Sequence, residues 1–257
     1  MGRFLPLDDE EIMQIPGAGT FTFSAKKIEK LGALQYTVVT IAIDISGSVA
    51  GFADNLLKCL KAIIEACRKN QRAEFLVIRV ITFASEIEEV HGFRELSDID
   101  SDQYPDFSPS GFTCLFDAGY DAIGSTIEYS RQMVEQGYDV NGAVYIITDG
   151  GENPGGGHRT IASPRMIKEK IENALKEEQL ESIITTIIAL YDPNSVWASD
   201  TQRDLTYFQV ESNMTKYIEV GEATPENLAK LADWVSASVS SQSDQVGSNA
   251  PSQVLDF

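Results

Sequence analysis

Cysteine is scarce: three residues in 257, at Cys59, Cys67 and Cys114. The number is odd and the spacing fits neither a disulfide framework nor a zinc site. Cys59 and Cys67 lie two helical turns apart inside an apolar stripe and read as small buried hydrophobes. That usage fits a reducing compartment, so the expected location is cytoplasmic. Long apolar runs are also missing. The longest, such as Ile183 to Leu190, fall far short of a bilayer crossing, which disfavours a membrane protein. The start of the chain, Met1-Gly-Arg-Phe-Leu-Pro-Leu, turns acidic at Asp8 to Glu11. It lacks the basic start and apolar stretch of a secretory signal, and Pro6 stands where a myristoylation signal wants Ser or Thr. Basic residues are outnumbered, 20 Lys and Arg against 39 Asp and Glu, for a formal net charge of −19. Such a chain repels phosphate backbones and anionic membranes. Nucleic acid is therefore a poor partner, and cations or basic protein surfaces are better ones.

Other catalytic and nucleotide-binding signatures are absent too. No Gly-x-Gly-x-x-Gly or P-loop follows the first buried strand, and Gly155 to Gly157 precedes no Lys-Ser pair. Ser46 and Ser48 lack the Gly-x-Ser-x-Gly frame of a serine hydrolase. The two histidines, His91 in an expected edge strand and His158 in a glycine loop, read as surface residues.

What the chain does have is apolar patterning. Hydrophobic residues make up 43%, enough to bury a full core in one large domain or two small ones. Tyr36 to Asp44, Glu74 to Ala84, Ala143 to Asp149 and Ser182 to Leu190 are nearly continuous apolar, β-branched runs, the pattern of strands buried on both faces. Between them Val49, Phe52, Leu56, Leu60, Ile63 and Cys67 recur at helical steps. Leu115 to Gln136 does likewise, ending at Gly137 as a C-cap. Ser163-Pro164 and Thr224-Pro225 each place a cap residue before a proline, a helix start. A further helix is expected over Asp200 to Ser212, and a short strand over Thr215 to Val220. Glu86 to Phe93 alternates weakly and reads as an edge strand. The expected fold is one doubly wound α/β domain: a mostly parallel sheet with one antiparallel edge strand and helices on both faces. Its expected limits are residues 36–240. Residues 1–35 read as an N-terminal arm and 241–257, rich in Ser, Gln and Asn, as a disordered tail.

In open α/β sheets, ligands sit beyond the carboxyl ends of the strands. Asp44-Ile-Ser46-Gly-Ser48 follows the first strand, and Thr148-Asp149-Gly150 follows the third. Ser110-Gly-Phe-Thr113 precedes the 115–136 helix. Three loops thus bring Asp44, Ser46, Ser48, Thr113 and Asp149 to one edge. Two carboxylates and three hydroxyls form an all-oxygen donor set suited to a hard cation such as Mg²⁺. With only two charges on the donors, one coordination position falls to water or to an outside acid.

These residues resemble the metal-ion-dependent adhesion site of von Willebrand factor A domains, the integrin I-like family, over roughly residues 36–240. Ser-Gly-Phe-Thr-Cys-Leu-Phe-Asp-Ala is similar to the family's Gly-Gly-Thr-x-Leu-x-x-Ala segment, with Phe112 in place of a glycine. The resemblance implies that Ser46, Ser48 and Thr113 are direct ligands. It also implies that Asp44 and Asp149 bind directly or through water, and that the ion is Mg²⁺, with Mn²⁺ and Ca²⁺ as alternatives. It implies a non-enzymatic, metal-dependent module that captures an acidic residue of a partner protein. For a chain without a signal, it implies an intracellular adaptor beside an AAA+ ATPase. Two alternatives stand beside it. One is a magnesium-dependent phosphohydrolase using Asp44, which would want Asp where Ser46 stands and a lysine near Asp149. The other is a structural subunit assembled through its arm and tail. Glu152 is either a tuning residue of the site or a solvated charge. The acidic run Asp98, Asp100, Asp102 and Asp106 is either a cation or docking surface or solvated. Trp197 and Tyr207 read as packing residues.

Overall fold

Burying the apolar runs on both faces forces them into the middle of a sheet, and that is where they lie. The computed structural model describes residues 8–17, 21–155, 160–247 and 255–257. Its elements are β1 (Glu10–Gln14), β2 (Thr22–Lys26), β3 (Gln35–Asp44), α1 (Ala53–Arg68), β4 (Leu76–Phe83), β5 (Ile87–Glu95) and α2 (Leu115–Glu135). They continue with β6 (Asp139–Thr148), α3 (Pro164–Lys176), β7 (Ser182–Ala189), α4 (Ala198–Glu211), β8 (Lys216–Glu219) and α5 (Pro225–Asp244). One eight-stranded sheet runs in the order β1-β2-β5-β4-β3-β6-β7-β8. β3 pairs in parallel with β4 and β6, β6 with β7, and β7 with β8. β5 runs antiparallel to β4. One core lies under α2, α3 and α4, the other under α1 and α5, so helices cover both faces. This is the doubly wound, mostly parallel architecture expected from the alternating pattern.

Helix ends follow local chemistry. Ser163 accepts from the Met166 amide and Thr224 from the Asn227 amide, each with proline in the first turn. Gly137, two residues past α2, adopts φ 89°, which a side chain disfavours.

The structure corrects the reading of the N-terminal region. Residues 8–17 and 21–35, expected as an arm outside the domain, are built into its sheet and core. β2 pairs in parallel with β5, and β1 adds antiparallel to β2. The 86–93 strand therefore lies inside the sheet rather than at its edge. Ile15, Phe23, Ala25 and Ile28 join the core beneath α2. The two strands approach so closely at Gly92 that a Cβ there would stand 2.0 Å from the Ser24 carbonyl oxygen. His91, expected at the surface, is 2% exposed. Its ring stacks on Tyr104, and Nε2 lies 2.9 Å from the Tyr104 hydroxyl. Burial pushes its pKa down to about 4, so it is neutral. His158 lies outside the described residues.

At the other end, Ser241 to Asp244 complete α5 rather than opening a disordered tail. Gln242 Nε2 donates to Gly142 O and Ser182 Oγ, and Asn141 donates to Gln242 O, so this polar end of the helix is tied to the sheet. Leu255 packs on the core beneath α5, and Trp234 Nε1 donates to Asp256 O. The intervening 248–254 lie outside the described residues.

Candidate metal centre

The carboxyl ends of β3 and β6 deliver the first and last of the expected ligands. Asp44 closes β3. Ser46 then turns the chain into a short 3₁₀ segment over Gly47–Gly51. Asp149 follows β6 directly. A hydrogen-bonded chain links the side chains: Ser46 Oγ lies 3.0 Å from Ser48 Oγ, and Ser48 Oγ donates to Asp149 Oδ1 at 2.9 Å. Asp44 is held from both sides. Its Oδ1 accepts from the Ser46 amide at 2.8 Å and its Oδ2 from Thr148 Oγ1 at 2.6 Å.

Thr113 reaches the same edge by backbone contacts. The Gly47 amide donates to Gly111 O and the Ser110 amide to Ile45 O, fastening the two loops together. Gly111 has φ +77°, and a Cβ there would stand 2.5 Å from Ser85 Oγ. Thr113 itself exchanges both backbone hydrogen bonds with Asn153, on the loop that carries Asp149. The described hydrogen bonds therefore join Asp44, Ser46, Ser48 and Asp149 through side chains, and Thr113 through the backbone alone.

The site is graded in depth. Asp44, Ser46 and Thr113 are buried, Asp149 is half-buried and Ser48 is exposed. Burial pushes the Asp44 carboxyl up to about 6, and the charge of Asp149 adds to the rise against the opposing Thr148 and Ser46 hydrogen bonds. Burial also raises Asp149, against the Ser48 hydrogen bond. Among the described residues, the hydrogen-bond partners of both carboxylates are hydroxyls and backbone amides, none of them charged. A divalent cation is the group that such a donor set fits. Among the described residues no group of three or more His, Cys, Asp or Glu side chains is placed to hold a metal ion. Any cation here would therefore rest on hydroxyl oxygens as well as on the two carboxylates.

Several neighbours escaped the sequence reading. Thr148 fixes the Asp44 carboxylate and also contacts Gly150 through O and N. Its signal was its position beside Asp149. Glu152 is half-buried and hydrogen-bonded rather than a free solvated charge. Its Oε2 accepts from the Phe116 amide and its Oε1 from Thr160 Oγ1, so it anchors the start of α2. Phe112, where the family resemblance has glycine, lies against Gly155: a Cβ there would stand 2.3 Å from the ring. In the acidic run, Asp98 pairs with Lys26, and Asp100 accepts from the Asp102 amide and Gln103. Trp197 and Tyr207 are exposed at 69% and 55% rather than packed.

No family model matches the chain, and no curated protein matches it. Solved structures do. The PilB minor pilin from Streptococcus sanguinis is 14% identical and superimposes with a TM-score of 0.54, over 89% of this chain and 66% of that one. The pilus adhesin SpaC from Lactobacillus rhamnosus GG, in its open conformation, is 11% identical with a TM-score of 0.51, over 91% of this chain and 34% of that one. The chain thus spans less than two thirds of the pilin and about a third of the adhesin. At these identities the likeness is one of fold.

Proposed function

We propose that the chain is a protein-binding module that holds one divalent cation, Mg²⁺ by preference, and uses it to capture an acidic residue of a partner. The observation that carries this is the linked cluster of Asp44, Ser46, Ser48 and Asp149 at the sheet edge, with Thr113 fastened beside it and, among the described residues, only hydroxyls and backbone amides bonded to the two acids. Ser46, Ser48 and Thr113 would be the direct ligands. A bound cation supplies a coordination position that a carboxylate from outside completes. Asp44 has both oxygens engaged, by the Ser46 amide and the Thr148 hydroxyl, an arrangement for orienting the site rather than for attacking a phosphoryl group. That supports binding over the phosphohydrolase alternative. The exposure of Ser48 leaves the outer end of the cluster open to a partner.

We further propose a cytoplasmic adaptor role, with an AAA+ ATPase as the partner. Three free, buried cysteines support a reducing compartment, and the −19 charge supports a basic docking surface around the acidic residue that is captured.

The test of acid capture uses a short glutamate-containing peptide and its glutamine counterpart, titrated into ¹⁵N-labelled protein. With Mg²⁺ present, the glutamate peptide is expected to shift the Gly47, Gly111 and Gly150 amides. The glutamine peptide, or either peptide in EDTA, is expected to leave them in place. Equal shifts with both peptides, or shifts that persist in EDTA, would contradict acid capture at a cation.

A further inference from the structure

Ser85 separates the metal loops from a cavity of about 410 Å³, a size suited to a small organic ligand. The cavity lies between β2, the start of β5 and α2. Its walls are apolar: Phe21, Phe23 and Ile87 line it, with the highly exposed Ile12 at its edge. Its floor is charged. Arg79, buried to 1% exposure, donates from Nε to Glu89 Oε2 at 2.8 Å and from Nη1 to Asp121 Oδ1 at 2.5 Å. Two carboxylates therefore share one guanidinium, and the triad keeps a formal charge of −1.

The two acids are not equally satisfied. Glu89 also accepts from the Ser24 amide and hydroxyl, so both its oxygens are filled. Asp121 is 3% exposed, and among the described residues no hydrogen bond reaches its Oδ2. A carboxylate oxygen that no described donor reaches can accept an N–H from a ligand. Glu86, exposed, lines the same cavity and adds negative charge at the rim. Phe21 presents aromatic surface, which attracts cations over the ring face, while the Phe23 ring already lies 5.8 Å from the Arg79 guanidinium.

We propose that this cavity binds an alkylguanidinium or alkylammonium group, its stem between Phe21, Phe23 and Ile87 and its N–H donors directed to Asp121 and Glu86. Two sources share this chemistry, a free amine and a basic side chain of a partner protein. The cavity lining includes none of the five candidate metal ligands, so the test is run in EDTA and stands whether or not a cation binds at Asp44.

Three probes are titrated into the full chain by calorimetry: n-butylguanidinium, its neutral counterpart n-butylurea, and a short arginine-containing peptide. The guanidinium is expected to bind at least tenfold more tightly than the urea. Glu86→Lys, a rim substitution, and Asp121→Asn, in the floor, are each expected to weaken it at least tenfold. Glu86→Lys keeps the test valid if Asp121→Asn disturbs folding. An arginine peptide that binds as tightly as the free guanidinium identifies a partner side chain as the source, and one that is excluded identifies a free amine. No binding of the guanidinium, equal binding of the urea, or wild-type affinity in Glu86→Lys would overturn the proposal.

Discussion

Arg79→Met is expected to lower the unfolding free energy by about 3–5 kcal/mol at pH 7, the usual cost of removing one partner from a buried charge cluster. Methionine replaces the stem of the side chain and none of its charge. Glu89 and Asp121 would then face each other in the core with no guanidinium between them, and Ser125 would lose the donor that now reaches it from Nη1 at 3.0 Å. Neutralising the acids offsets the loss. In the wild-type protein burial acts to raise the Glu89 pKa, but Arg79 and the Ser24 hydrogen bonds outweigh it and hold the carboxyl below its ordinary value. A depressed carboxylate contributes stability above its unfolded pKa and loses it as pH falls through the folded value. The variant lacks that contribution, and its uncompensated buried acids take up protons as pH falls while the wild-type contribution is still largely intact above about 4.5, so the gap between the two proteins should narrow from pH 7 to pH 4. Urea denaturation at both pH values measures this. A deficit below about 1 kcal/mol at pH 7, or one that does not narrow on acidification, would mean that the triad does not carry the charge described.

The metal centre makes a second large prediction, opposite in sign. Asp44 titrates near 6 rather than at its ordinary 3.8, chiefly because it is buried. A carboxyl with a raised folded pKa binds more protons when folded. Its stabilising effect is full below about 4, declines as pH rises, and is gone above about 6. The shift of about two units corresponds to roughly 3 kcal/mol, and Asp149 is raised in the same direction. Protein in EDTA should therefore be less stable at pH 7.5 than at pH 4.5 from these groups. Mg²⁺ should reverse that loss, because the cation takes the place of the proton. The rise in Tm on saturation with Mg²⁺ should be large at pH 7.5 and small at pH 5, and the affinity should fall about tenfold per pH unit below 6. An identical Tm gain at both pH values would show that Asp44 does not couple to the cation.

The parts of the molecule that could be read from the sequence share a physical property: their signals are local. β3, β4, β6 and β7 are continuous apolar runs because both of their faces are covered. Ser163 and Thr224 cap their own helices, so three residues suffice to read each start. The candidate ligands were visible because small oxygen-bearing residues cluster just past strand ends, where the fold must bring them together.

What was misread depends on distant partners. β1 and β2 are short, and only their pairing beside β5 makes them part of the sheet. His91 looked like an edge residue because nothing local shows that β2 covers β5 or that Tyr104 receives its ring. Gln242 and Ser243 have the composition of a disordered tail, yet both are fully buried. The groups that bind Gln242, on Asn141, Gly142 and Ser182, lie 60 to 101 residues away in sequence. Glu152 looked like a free loop charge because the amide that it accepts from, at Phe116, is 36 residues earlier.

Isothermal titration of Mg²⁺ and Mn²⁺ into chelator-treated protein, wild type against a Ser46→Ala/Ser48→Ala/Asp149→Ala variant, tests the central claim most directly. The wild type is expected to bind one ion and the variant none, with both folded by circular dichroism. Equal binding by the two proteins, or none by either, would contradict a cation held at the ends of β3 and β6.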